Sequence, residues 1–293
     1  MSFQTTETAG RRNTKAFFVL WHNKLAFLCI AILLVIIITS LIAPWLVDGS
    51  VTQIRPRMRL QAPSELALFG TDAMGRDVFG LTLQGTKTSL LVGLLTAIAA
   101  GVLGTIIGLV TGYFRRVDGV MMRVMDAIMA IPNILFAVAV VSLLGASVTT
   151  IVSALAFNEI PRVVRLVRSV VLSVREEPYV KAALGMSIPT PLILIRHILP
   201  NCIAPLTVQI TYIFAAAILS EAVLGFLGVG FPQGTPTWGN VLAEGRAVFS
   251  RAPWTIIAPG LMLALTVMAV NLLGDNLRDR LDPRLSRTMR VSS

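Results

Sequence analysis

Apolar residues gather along this chain into long blocks, with polar residues set between the blocks. Residues 25–47 carry no charge. This block is longer than the roughly 20 residues a helix needs to cross a bilayer and the roughly 7 to 15 of a signal peptide's apolar core. With no small-residue cleavage site after it, the block predicts a retained first transmembrane helix. Further blocks at 88–113, 127–145, 146–171, 201–220 and 252–274 predict five more. The expected fold class is all-α: a polytopic membrane protein of six transmembrane helices.

The blocks differ in texture. In the second, Gly104, Gly108 and Gly112 recur every four residues, as do Gly93, Ala97 and Gly101 before them. Such small-residue stripes predict packing seams, because in lipid helices gain by close backbone approach rather than by apolar burial. Pro132 lies inside the third block and predicts a kink or hinge. The fourth is interrupted by Glu159, Pro161 and Arg162, and it spans only if Glu159 faces protein while Arg162, Arg165 and Arg168 lie at the cytoplasmic end. Their spacing places the three arginines on one helical face. Ionised groups are costly in a bilayer, so Asp126, Glu159 and Glu221 are candidates for a gate or for structural charges. Asp126 would pair with Arg123 or cap a helix, and Glu159 would pair with Arg162.

Between the blocks lie a polar segment at 1–24, a loop at 48–87, a short charged turn at Arg115, Arg116, Asp118 and Arg123, a turn-rich loop at 231–239 and a basic tail at 275–293. The stretch 178–201 joins two apolar blocks, yet it holds Lys181, Arg196 and His197 with Pro189, Pro191 and Pro200. Six spans with the N-terminus inside place 18 Lys and Arg residues in the cytoplasm and 7 outside. Positive residues favour cytoplasmic loops, so both termini and 178–201 are expected there, with 48–87 extracytoplasmic. Apolar residues make up 55% and charged residues 14% of the chain, and the mean hydropathy is +0.78, which exclude an ordinary soluble domain. A formal charge of +10 would suggest nucleic acid for a soluble protein. Here it reflects topology, and the expected contact is membrane lipid, with no nucleic acid.

No catalytic constellation is present. The nearest approach to a phosphate-cradling loop, Gly85-Thr86-Lys87-Thr88, lacks the spaced first glycine and the Gly-Lys pair. His22 and His197 are too few for a metal cluster, Cys29 and Cys202 read as small packing residues, and no nucleophile elbow occurs. The pattern points to transport driven from outside the chain, without a cofactor. A secondary transporter or channel, with Asp126 and Glu159 as ion-coupling carboxylates, is the alternative from another class. A membrane-bound enzyme is disfavoured by the missing constellation.

The stretch around 176–201 resembles the EAA loop of ABC importer permeases: Glu-Ala-Ala, three residues, Gly, nine residues, Ile, one residue, Leu-Pro. Leu199-Pro200 and Ala182-Ala183 fall on that pattern without a gap. Lys181 stands where Glu is usual, Ser187 where Gly is usual with Gly185 two residues early, and His197 where Ile is usual. The rest of the chain is similar to the C-type inner-membrane permeases of dipeptide, oligopeptide and nickel importers. The shared pieces are Phe69-Gly70-Thr71-Asp72 with Gly75-Arg76-Asp77; Met122-Arg123 with Asp126, Ile131 and Pro132; Glu221 with Phe226-Leu227-Gly228 and Gly230; Pro236 with Trp238-Gly239; and the run from Asn271 to Pro283.

The resemblance implies a permease core at 88–274 and a bacterial inner-membrane location. It implies a homologous B-type permease alongside, two cytoplasmic ABC ATPases that use ATP and Mg, and an extracytoplasmic substrate-binding protein. It also implies a coupling helix near 176–186, with Ala182 and Ala183 allowing close approach to an ATPase groove. Glu177, Tyr179, Lys181, Gly185, Ser187, His197, Leu199 and Pro200 complete the expected coupling site, with Lys181 meeting an acidic or neutral patch on the partner. The implied cargo is a peptide, with nickel or a metal chelate as the alternative.

Overall fold

The computed structural model describes residues 24–46, 51–65, 67–232 and 234–281. Most of the 1–24 segment and the last part of the basic tail lie outside the described residues. The main elements are α1 (Lys24–Leu46), α2 (Val78–Tyr113), α3 (Arg115–Met129), α4 (Asn133–Leu144), α5 (Val148–Val174), α6 (Pro178–Gly185), α7 (Thr190–Ile193), α8 (Leu199–Phe226), α9 (Trp238–Arg246) and α10 (Trp254–Leu281). A π-helical turn, Leu194–Ile198, joins α7 to α8. Among the described residues, α1, α2, the run Thr190–Phe226 and α10 are long and apolar enough to cross a membrane. The bent pair α3 and α4 makes a fifth if it counts as one span.

Asp77 starts the longest helix. Its carboxylate accepts the amide protons of Phe79 and Gly80 at 3.2 and 3.1 Å, satisfying two donors that a helix start leaves free. Residues 78–87, expected as the end of a loop, are therefore the first turns of α2. Their polar look misleads because the hydroxyls of Thr82 and Thr86 donate back to Val78 O and Thr82 O, at 2.7 and 2.9 Å. At 36 residues α2 is about 54 Å long and outreaches the roughly 30 Å of hydrocarbon.

The third block departs further from expectation. The residues expected as a short charged turn are the first half of α3, and the chain then bends by 83° before α4. Pro132, lacking an amide donor, caps α4 instead of continuing α3. Alone, the 12-residue α4 is about 18 Å long, too short to cross the membrane. The fourth block is one unbroken helix, α5, started by the Ser147 side chain accepting from Thr150 N at 3.1 Å. The fifth runs past Glu221 to Phe226, so Glu221 lies inside α8. The sixth continues to Leu281.

Two seams fix α2. A Cβ on Gly104, Gly108 or Gly112 would stand 2.5 to 2.7 Å from the Cβ of Val163, Val167 or Val171, three valines one turn apart on α5. The earlier stripe meets α8: a Cβ on Gly93 would lie 2.6 Å from Ile218, and one on Gly101 3.2 Å from Ile210. Both expected seams are present, and they face different partners.

At the start of α2, residues 51–65 and 67–77 form a cap. Arg76 is buried and pairs with Asp72 at 2.6 Å and with Glu244 of α9. Asp72 also accepts from Met74 N and Arg76 N. Gly75 has φ +76°, and a Cβ there would collide with Arg55 O at 1.9 Å. Trp238, in the stretch expected as a turn-rich loop, is buried at the start of α9, and its indole donates to Thr82 O at 3.2 Å.

Gly108→Ala is expected to lower stability by about 1 to 3 kcal/mol through overpacking against Val167. Adding Val167→Ala should restore little of the loss, because alanine keeps the Cβ 2.7 Å away and Val164 O stays at 3.0 Å, whereas Gly119→Ala, with open space around it, should not destabilise. Thermal unfolding of the purified protein in detergent reads all three.

Candidate functional site

The segment from α5 to α8 is built around α6. Pro178 occupies the first turn of α6, where a missing amide proton costs nothing. The helix closes with paired bonds: Ser187 N–H donates to Leu184 O at 3.0 Å and Ile188 N–H to Ala183 O at 3.2 Å. This is the double bond pattern that ends helices with one left-handed residue, here Ser187 at φ +57°. Glycine is favoured at such a position because it lacks the Cβ that strains the left-handed region. Gly185, two residues earlier, is the last residue of the helix and does not take over this role.

One side of α6 points inward. Val180 and Ala183 are fully buried in a cluster with Val171, Ile193, Ile198 and Cys202. Ala183, expected to approach a partner groove, instead packs against the chain's own core. Ala182 is exposed, as are Tyr179, Leu184 and Met186, the last at 68%. With exposed Leu192 and Ile195 nearby in sequence, they give this segment an apolar surface. Lys181 is satisfied within the chain, 3.2 Å from Glu176. Its hydrogen-bonded ammonium holds the Glu176 carboxyl below its ordinary range. Glu177 occupies the cap position without a side-chain capping bond.

Beyond α7, Leu199 N–H reaches back five residues to Leu194 O, creating the π turn. Pro200 follows immediately and lacks the donor that an α-helical bond to Arg196 would need. His197 is half-buried in this turn, its carbonyl accepting from Asn201 Nδ2 at 2.7 Å. The same amide donates to the Tyr179 hydroxyl at 3.2 Å, tying α6 to the start of α8.

The other candidate charges do not converge. Asp126 pairs with Arg165 rather than Arg123, with both side chains largely exposed. Glu159 is buried and pairs with half-exposed Arg162 at 3.1 Å, as expected. Glu221 is 1% exposed and accepts from the Ser89 hydroxyl at 2.9 Å. Among the described residues no group of three His, Cys, Asp or Glu could hold a metal ion. Cys29 and Cys202 are both buried and free.

The ties from α3 to α5 were not anticipated. Asp118 receives two bonds from Arg168, as Asp126 receives one from Arg165. Arg175, at the end of α5, donates to Gly112 O of α2 at 3.2 Å. Sequence spacing carried no signal for them, since the aspartates are eight residues apart and their arginine partners only three.

Residues 78–287 match the family described as binding-protein-dependent transport system inner membrane component. Residues 14–63 match the N-terminal TM domain of oligopeptide transport permease C. The chain is 51% identical to a probable peptide ABC transporter permease protein of Sinorhizobium fredii, over 85% of each chain. It is 41% identical to the dipeptide transport system permease protein DppC of Alkalihalophilus pseudofirmus, over 92% of this chain and 90% of that one. In shape it is similar to a chain of the inward-facing MetNI methionine ABC transporter, with a TM-score of 0.55 at 16% identity over 70% of this chain and 97% of that one.

Ser187→Gly is expected to stabilise the end of α6 by about 1 kcal/mol by removing left-handed strain. Ser187→Val should do the opposite. Hydrogen exchange at the amides of residues 187 and 188 would slow in the first variant and quicken in the second.

Proposed function

Because the chain belongs to the family of binding-protein-dependent transport system inner membrane components, we propose that it pairs with a homologous B-type permease to form a peptide pathway, driven by two cytoplasmic ATPases through α6. The chain itself is a non-catalytic, multi-pass inner-membrane permease subunit of an ABC importer. An extracytoplasmic binding protein would deliver the cargo. ATP and Mg would be handled by the ATPases, with no cofactor on this chain. We assign six crossings with both termini cytoplasmic, counting the bent pair α3 and α4 as one and α5 as another. Charge distribution supports this: α5 is long enough at 27 residues, and its arginines are neutralised by Glu159, Asp126 and Asp118.

The observation that carries the coupling reading is the two-sidedness of α6. Its inner face locks into the same cluster as Val163, Val167 and Val171 of α5 and Ile198 and Cys202 at the start of α8. Its outer face offers Tyr179, Ala182, Leu184 and Met186 to a partner. A helix seated in a groove of a moving ATPase would carry both neighbouring spans with it. Peptide cargo rests on the relatives' descriptions. A gradient-driven mechanism finds less support, since Asp126 and Glu159 are each matched to an arginine.

Ala182→Asp is expected to leave the permease folded while reducing co-purification of the ATPases at least about tenfold, through a charge buried without a partner. Ala183→Asp should instead destabilise the permease itself. Undiminished co-purification with Ala182→Asp would sink the docking model. Uptake of labelled di- and oligopeptides into proteoliposomes should require ATP and the binding protein. Uptake driven by an ion gradient alone would overturn the importer mechanism.

A further inference from the structure

The coupling site leaves Lys87 unexplained. It is the sole charged residue in the 36 residues of α2, it is exposed, and no carboxylate pairs with it among the described residues. Twenty-six residues separate it from Tyr113, a rise of about 39 Å, more than the roughly 30 Å of hydrocarbon. With the Tyr113 end of α2 at one membrane surface, Lys87 therefore stands at the headgroup level of the other.

Lys87 does not stand there alone. It lines the end of a groove of about 400 Å³ between α1 and α2, floored by Phe214 of α8. Ile37 and Leu41 of α1 and Leu91 and Leu94 of α2 form its apolar walls. Between Leu33 and Leu41 the groove follows α1 for about 12 Å, close to the roughly 15 Å of hydrocarbon in one leaflet. Its shape and chemistry are graded: apolar along its length, cationic at the headgroup end.

We propose that this groove is a binding site for an anionic phospholipid of the leaflet opposite α6, with one acyl chain between α1 and α2 and the phosphate on the Lys87 ammonium. An apolar groove alone would accept any lipid chain. The cation at its mouth, without a carboxylate partner among the described residues, selects charge, because an ammonium near the low-dielectric membrane is complementary to a phosphodiester that carries no compensating choline. Bound there, the lipid would fill the space between the first span and the rest of the bundle. It would hold α1 against α2, whose seam glycines Gly93, Gly101, Gly104, Gly108 and Gly112 face α8 and α5 instead.

The test uses the assembled importer in nanodiscs, with Cys29 and Cys202 replaced by Ala and a bimane fluorophore attached at Leu91→Cys. Doxyl-labelled phosphatidylglycerol and doxyl-labelled phosphatidylcholine are compared as quenchers at equal mole fraction. Phosphatidylglycerol is expected to quench at about fivefold lower mole fraction. Lys87→Gln should equalise the two lipids, and Lys87→Arg should retain the preference, which separates loss of charge from loss of fold. Equal quenching with Lys87 present, or a preference that survives Lys87→Gln, would overturn the proposal. So would the absence of quenching by either lipid, which would mean that a helix of the second permease fills the groove.

Discussion

In lipid, an apolar side chain gains nothing by leaving one apolar neighbour for another, so helices hold together by how near their backbones come. The contact between α2 and α5 is an extreme of this constraint. Three glycines face three valines at a separation where an added methyl group would not fit. This seam ends where α6 begins. Val171, the last valine, belongs to the same buried cluster as Val180 and Ala183, and Arg175 beyond it donates to the carbonyl of Gly112, the last glycine. The position of α6 is therefore set by the seam through less than one further turn of helix.

Charges reinforce the arrangement without supplying most of its strength. Between α3 and α5, Arg168 and Asp118 form the better-made pair, with two hydrogen bonds and both side chains mostly covered. The Asp126–Arg165 and Glu176–Lys181 pairs are far more exposed, and such pairs add little to stability. Their value lies in register, since they hold α3 and the start of α6 at fixed positions against α5. At the other end of α2, buried polar groups do comparable work. Glu221 and the backbone N–H of Trp238 both use the Ser89 hydroxyl, linking α8, α9 and α2 at one point.

Much of this was legible in the sequence where spacing alone decides packing. The glycine stripes, the proline break and the Glu159–Arg162 pair are local patterns, and each has its expected counterpart. What sequence spacing could not supply was the identity of distant partners. Residues 78–87 look like loop because Thr82, Thr86 and Lys87 are polar, yet threonine hydroxyls return to their own helix and leave no donor exposed. Asp118 and Asp126 look like loop charges until α5 is laid beside them. Which of two adjacent alanines faces outward depends on the rotation of an eight-residue helix, and that rotation is set by Val180 entering the core. The segment around α6 was thus readable as a break between apolar blocks, while its inner and outer faces were not.

The two departures from the EAA pattern acquire different physical meanings. Lys181 inverts the usual charge, but Glu176 lies 3.2 Å away, so the local balance is met within the chain while the apolar residues beside it remain exposed. Ser187 is a change of strain rather than of shape. Its left-handed backbone is imposed by two bonds that do not involve its side chain, from Ser187 N–H and Ile188 N–H, and by Ile188 packing against the buried cluster. A serine held there carries a cost that glycine would avoid, yet it cannot relax without breaking those bonds. The close of α6 is therefore specified by backbone bonds and by the buried side of the helix, without the Ser187 side chain.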